Sequence, residues 1–271
     1  MNFLEKLDKT AKLNNSLLSI GLDVDLSRVP KLFLNKDDPI FSFNKAIIDE
    51  TRDLVCAYKP NIAFYEMYGT YGLESLIKTI EYISADNIPV ILDAKRSDIG
   101  SSSQAYAKSA FEVYKADAVT VNPYLGYDSL EPFIEYKEKG IFVLCLTSNP
   151  GSKDFQMIGG EDPVYKQVAR RVKEWNKWGN LGLVVGATNP SELKEIRTIA
   201  GDIPILIPGI GAQGGDLQSS VKGGVNKKGD RAIINVSRSI IYSSDREDFA
   251  RSAKLFARRL KDDINSFRYL G

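Results

Sequence analysis

Histidine is absent from the 271 residues. That absence excludes imidazole general bases, His-dependent catalytic triads and His metal ligands. Cysteine is scarce. Cys56 and Cys145 both lie in apolar stretches, LVCAY and IFVLCL. They read as small buried core residues rather than as a disulfide, which fits a reducing cytoplasm. Long apolar runs are also missing, and IFVLCL is far too short to span a bilayer. Net charge is nearly zero, with 36 Lys+Arg against 35 Asp+Glu. No overall pull toward nucleic acid or an anionic membrane is expected, although this leaves room for a local basic pocket. The N-terminal MNFLEKLDKTAKL carries Glu5, Lys6, Asp8 and Lys9, so no signal-peptide apolar region is read there. Asn235-Val236-Ser237 matches a glycosylation acceptor, and without a secretory signal the match carries no weight.

What is present is a regular alternation. Short β-rich apolar runs recur at 17–23, 54–60, 88–95, 118–123, 140–147, 181–187, 203–209 and 231–237. Helical patterns fall between them at 40–53, 71–84, 101–115, 127–138, 162–178, 190–199 and 214–222. A further helix is expected at 245–264, and a leading one at 2–13. Such alternation implies parallel strands joined by right-handed crossovers. Parallel strands are covered on both faces, which accounts for the nearly unbroken apolar runs. Eight such units in this length predict a (β/α)8 TIM barrel, class α/β, with an additional N-terminal helix. A doubly wound open sheet is the second choice. No composition shift divides the chain, so 1–271 is expected to be one barrel domain. The Gly- and Ser-rich 148–161 reads as a candidate lid.

In this architecture functional groups sit at the C-terminal ends of the strands. Here those ends carry Asp23, Lys59 with Asn61 beyond, Asp93 and Lys95 followed by Asp98, Thr147-Ser148-Asn149, Gly209-Ile210-Gly211, and Ser237-Arg238. Glycines after the seventh strand let backbone N–H groups approach an anion, and Arg238 can grip phosphate bidentately. Both features fall at the loops where this fold commonly holds phosphate. Residues 209–214, GIGAQG, also spell the dinucleotide fingerprint GxGxxG. That fingerprint belongs to a first βα turn, and this one follows the seventh strand, so a monophosphate cradle is expected instead.

Asp93 and Lys95 are two apart and should share a face of their strand. Lys59 ends the neighbouring strand. Opposite charges in a partly buried site keep each other ionised. A structural ion-pair network at the barrel mouth is the plain alternative, but desolvating several charges without a use is costly. A lysine held charged by carboxylates is a poor Schiff-base former and a good proton donor, which points to Lys95 as a general acid toward a carbanion-like carbon. Asp93 and Asp98 also offer oxygen ligands of the kind that suit magnesium.

With these residues in place, DAKRSDI (93–99) resembles the DxKxxDI signature of the orotidine 5′-phosphate decarboxylase family. SIGLDVD, AYKPN, LTSNPG, PGIGAQGGD and SRSI agree with that family in order, over about residues 17–242. The likeness is to its longer bacterial branch, where DAKRGDI and LCLTSNPGS are typical. The resemblance implies conversion of orotidine 5′-monophosphate to uridine 5′-monophosphate and CO2, the last step of de novo UMP synthesis, with no metal or organic cofactor. It implies that Asp23 and Lys59 contact the ribose, with Lys59 also joining the charged network. Asp93 would lie beside the substrate carboxylate, and Lys95 would deliver the proton. Asp98, Ile99 and Ser102 would reach into a partner subunit's site, making a cytoplasmic homodimer with shared active sites. Ser148 would read the pyrimidine. Gln213 and Arg238, with backbone at Gly211, would bind the phosphate. Ser97 stands where this branch usually has glycine, and Ser102 where the family usually has threonine; both keep the spacing, and Ser102 keeps the hydroxyl. The rival readings are a magnesium-dependent sugar-phosphate aldolase or decarboxylase of similar architecture, and a non-catalytic phosphate-binding barrel.

Overall fold

A computed structural model describes residues 1–211 and 214–268. Among them, eight parallel strands form one sheet in the order β2-β1-β8-β7-β6-β5-β4-β3. They are β1 (Leu18–Gly21), β2 (Ala57–Lys59), β3 (Ile91–Arg96), β4 (Ala118–Val121), β5 (Gly140–Leu146), β6 (Leu181–Val185), β7 (Ile205–Pro208) and β8 (Ala232–Val236). The ends of that order, β2 and β3, meet through bridges at Tyr58–Val90 and Asn61–Asp93. Tyr58 N donates to Pro89 O at 3.0 Å and Asp93 N to Pro60 O at 2.9 Å. The ring is thereby closed as the expected TIM barrel, although its last seam is bridged rather than laddered.

The side chains sort by parity, because successive residues of a strand face opposite ways. Leu18, Ile20, Leu92, Val119, Val143, Leu183, Ile207 and Ile234 face the surrounding helices and are fully or almost fully buried. Ala57, Ile91, Ala118, Phe142, Val184, Leu206 and Ile233 face inward and pack as a second core. The N-terminal helix Phe3–Leu13 stoppers that inner core from below with Phe3 and Leu7. Phe3 meets Phe142 edge to face at 5.7 Å. This helix starts cleanly because Asn2 and Glu5 form a reciprocal capping box. Two residues further along several strands, the inward positions turn polar: Lys59, Asp93, Thr120 and Asn235. The barrel is thus sealed with hydrocarbon at one end and opens onto charge at the other.

Asn235 of the glycosylation-like triplet is 6% exposed and points into the barrel, where no glycan fits. The helices follow the expected pattern with local shifts. The expected 101–115 helix is α-helical over Gly100–Lys108 and then widens into a π-turn over Ser109–Val113. That widening brings consecutive Ala110 and Phe111 to the buried side, with Phe111 against Phe133 and Tyr136. The 214–222 helix begins only at Leu217. Gly214 has φ +80°, and Asp216 caps the helix through Ser219 N at 2.7 Å. The last helix runs Phe249–Arg268. Short helices at Lys31–Leu34, Ala63–Glu66 and Arg238–Ile241 are too brief to leave a periodic signal. Among the described residues, no helix is long and apolar enough to cross a membrane.

Candidate active site

The charged end of the barrel encloses a cavity of about 390 Å³. Asp23, Lys59, Asn61, Asp93, Lys95, Thr120, Thr147, Ser148, Asn149, Asn235, Ser237 and Arg238 contribute its polar lining. Leu144, Val184, Leu206, Pro208 and Ile210 supply an apolar floor and wall.

Asp93 is the hub. Lys59 Nζ lies 2.6 Å from one carboxylate oxygen and Lys95 Nζ 2.5 Å from the other. The Thr120 hydroxyl donates to the Lys95-facing oxygen at 3.0 Å. Burial alone would raise the Asp93 pKa. Two ammonium groups and their hydrogen bonds outweigh that cost and hold the carboxyl well below its ordinary range. Burial would likewise favour neutral Lys59, but Asp93 and then Asp23 overcome it and raise its pKa. Both members of the buried pair are therefore ionised.

The route by which Lys95 reaches Asp93 differs from simple strand alternation. The β3–β4 register shifts between Leu92 and Arg96, and Lys95 adopts φ +47°. A lysine in the left-handed region costs free energy, so surrounding contacts must hold it there. Thr120 does so. Its hydroxyl oxygen accepts from Ala94 N at 3.0 Å and Lys95 N at 2.9 Å while donating to Asp93. One hydroxyl thus satisfies the bulge and the hub carboxylate together. Sequence reading passed over Thr120 and Asn235. Both are lone polar residues at inward parity in otherwise apolar strands, and that was the available signal.

Asp23 ends the β1 run, and its buried Oδ1 has no hydrogen-bond partner among the described residues. It presents an acceptor to the cavity beside Lys59. Ser148 lines the wall after β5. Its carbonyl accepts from the Thr188 hydroxyl at 3.2 Å, and Gly186 packs so close that a Cβ there would lie 2.7 Å from Ser148 N and Cα. The loop after Ser148 is anchored at its base by Gln156, whose Oε1 accepts from Thr147 N at 2.7 Å.

At the phosphate-like end, β7 lies four strands from β3 either way round the ring. Gly209 and Gly211 have φ +101° and +78°, conformations that suit glycine and turn the chain back on itself. Gly209 lines the cavity, and Gly211 follows just beyond it. Arg238 is exposed at the rim, and its guanidinium has no hydrogen bond or ion pair to another described residue. Gln213 lies outside the described residues. Asp98, Ile99 and Ser102 do not line this cavity. Asp98 accepts from Ile99 N at 2.8 Å, while Ile99 and Ser102 are exposed beside the mouth. Among the described residues, no cluster of three or more His, Cys, Asp or Glu is arranged to hold a metal ion.

Chemically, this is a narrow pocket with one fixed anion, two fixed cations, a vacant carboxylate acceptor and a separate guanidinium. It can take a polyanionic ligand of nucleotide size and offer a proton at Lys95. A profile of the Orotidine 5′-phosphate decarboxylase / HUMPS family matches residues 16–253. An orotidine 5′-phosphate decarboxylase of Ralstonia pickettii is 49% identical, the alignment covering 99% of this chain and 100% of that one. Another, from Cellvibrio japonicus, is 50% identical with the same two coverages. The solved OMP decarboxylase of Leishmania donovani superposes with a TM-score of 0.85 at 40% identity, over 99% of this chain and 100% of its own. With a match over most of the barrel and relatives aligned end to end, the chain belongs to the orotidine 5′-phosphate decarboxylase family.

Proposed function

We propose that this protein decarboxylates orotidine 5′-monophosphate to uridine 5′-monophosphate and CO2 by a route built on the Lys59–Asp93–Lys95 array. The carrying observation is Asp93 fixed between two ammonium groups at the floor of a nucleotide-sized cavity. When the bond from C6 of the ring to the carboxyl carbon breaks, its electron pair stays on C6. Little resonance relieves that charge. The ammonium of Lys95 is already oriented, so it stabilises the pair as it develops and then donates a proton to C6. Solvent restores the lysine proton after product leaves. Asp93 faces the departing carboxylate, so repulsion falls as neutral CO2 forms. Because Asp93 stays ionised, it also holds the Lys95 side chain in place until the transfer.

Asp23 and Lys59 take the ribose hydroxyls, and Ser148 reads the pyrimidine. Arg238 grips the phosphate, joined by Gln213 and by backbone at Gly211. Binding energy from this remote phosphate supports closure of 148–161 and orders the reacting end. Asp98, Ile99 and Ser102 serve the site of a second copy in a homodimer. Their place beside the mouth rather than in their own cavity supports this. So do exposed Ile99, Tyr124 and Phe155 near the same end of the barrel. The enzyme works in the cytoplasm, as one barrel domain over 1–271 and without a metal or organic cofactor.

The test is ultraviolet-monitored loss of orotidine 5′-monophosphate with EDTA present. Turnover should be unchanged by EDTA. Lys95→Ala should lose roughly 10²–10⁴-fold in kcat, the usual worth of a positioned proton donor, while still binding UMP. EDTA-sensitive turnover would favour the magnesium-dependent reading. Undiminished turnover by Lys95→Ala would remove the proton-donor role.

A further inference from the structure

The segment carrying Asp23 is held by tyrosine hydroxyls from separate parts of the fold. Tyr65 Oη donates to Leu22 O at 2.9 Å. Tyr68 Oη accepts from Leu26 N at 2.9 Å. Tyr242 Oη contacts the backbone twice, accepting from Asp25 N at 2.7 Å and donating to Asp23 O at 3.2 Å. Burial raises the Tyr242 pKa to about 12, so the hydroxyl stays protonated. The Tyr242 ring is fixed on both sides. It stacks on Phe43 at 5.7 Å, and the Arg28 guanidinium lies 4.0 Å from its centroid.

Tyr242 differs from the other two in where it comes from. It caps the short helix Arg238–Ile241, with its N–H donating to Arg238 O at 3.2 Å. One four-residue turn therefore carries the free guanidinium at one end and the hydroxyl that grips Asp23's backbone at the other. We propose that Tyr242 is a positioning residue that couples the two ends of the cavity: phosphate held by Arg238 fixes this turn, and Tyr242 passes that order to the Asp23 segment. A second link between β8 and β1 exists, since Ser237 Oγ donates to Gly21 O at 3.1 Å, and it must be told apart. The inference rests on Asp23 and Arg238 contacting the nucleotide, as proposed above.

The experiment is a double-mutant cycle on UMP affinity, measured by calorimetry. Asp23→Asn, Arg238→Ala and their combination are made in the wild-type and Tyr242→Phe backgrounds. Phenylalanine keeps the ring contacts and removes only the hydroxyl, and melting temperatures verify folding. In the wild-type background the two losses should be non-additive by roughly fivefold, a typical coupling for linked residues. With Tyr242→Phe they should become additive within about twofold. Tyr68→Phe frees the same segment without touching the Arg238 turn, so it should leave the coupling in place. Coupling that persists with Tyr242→Phe overturns the proposal in favour of the Ser237 link. Additivity in the wild-type background, or loss of coupling with Tyr68→Phe as well, overturns it too. A lone Asp23→Asn or Arg238→Ala without effect on UMP affinity would instead strike the underlying contact assignment.

Discussion

Lys59 shows what this site costs the protein at the scale of one residue. Its side chain is 4% exposed, yet it is charged, because Asp93 lies 2.6 Å away. Asp93 has its pKa lowered on folding, so its ionised form adds stability above the ordinary carboxylate value of about 4. That contribution is lost as pH falls through the lower folded-state value. Lys59→Met removes one of the two cations that set this shift and leaves Asp93 buried with Lys95 alone. Urea unfolding should show a loss of about 3 kcal/mol at pH 7, the lower end for breaking a buried pair. The Lys59→Met variant should also begin to lose stability at a higher pH than the wild type when titrated toward acid. Equal acid profiles would mean that Lys59 does not hold Asp93 ionised. The identities of these residues were legible in the sequence, since charges at the ends of apolar runs stand out. Their pairing geometry was not, because it depends on which strands become neighbours.

At the scale of the element, the β3 end is a bulge braced by β4. Alternation placed Asp93 and Lys95 on one face, and both do converge, but through a left-handed Lys95 rather than through a regular strand. The brace is the Thr120 hydroxyl, which serves Asp93, Ala94 N and Lys95 N. Thr120→Val keeps shape and removes that oxygen. It should reduce kcat by roughly 10–100-fold, about 1.4–2.7 kcal/mol of positioning, with a smaller change in KM. Steady-state kinetics decide this, and an unchanged kcat would mean that Lys95 is placed without Thr120. Thr120 escaped sequence reading because a threonine is an ordinary strand residue. Only the neighbouring strand's bulge gives its hydroxyl three partners. The short helices at 63–66 and 238–241 escaped for a related reason, since a single turn has no periodicity to detect.

At the scale of the whole molecule, hydrocarbon stoppers one end of the barrel and charge lines the other. The N-terminal helix packs into the first end, and the charged cavity lies at the second. Asp98, Ile99 and Ser102 stand outside the cavity of their own chain, which makes the shared-site homodimer testable. Asp98→Ala and Lys95→Ala variants, each impaired alone, should regain activity when mixed, because one site of the mixed dimer keeps both residues. With random exchange about half the molecules are mixed and one of their two sites is intact, so recovery should approach roughly a quarter of wild-type activity. No recovery after verified subunit exchange would remove the shared site.

The alternation of apolar and helical segments determined the barrel, because strand burial on both faces writes itself into local composition. The motif residues Asp23, Lys59, Asp93, Lys95 and Arg238 were likewise set by sequence, each at a strand end where parity and polarity change. Tertiary structure alone decided that Thr120 braces the β3 bulge, that Tyr242 ties the Arg238 turn to the Asp23 segment, and that Asn235 faces inward. These facts rest on contacts between residues far apart in the chain. Local patterns record how each segment is buried, but the partner of a hydroxyl is fixed only when closure of the ring brings distant strands together.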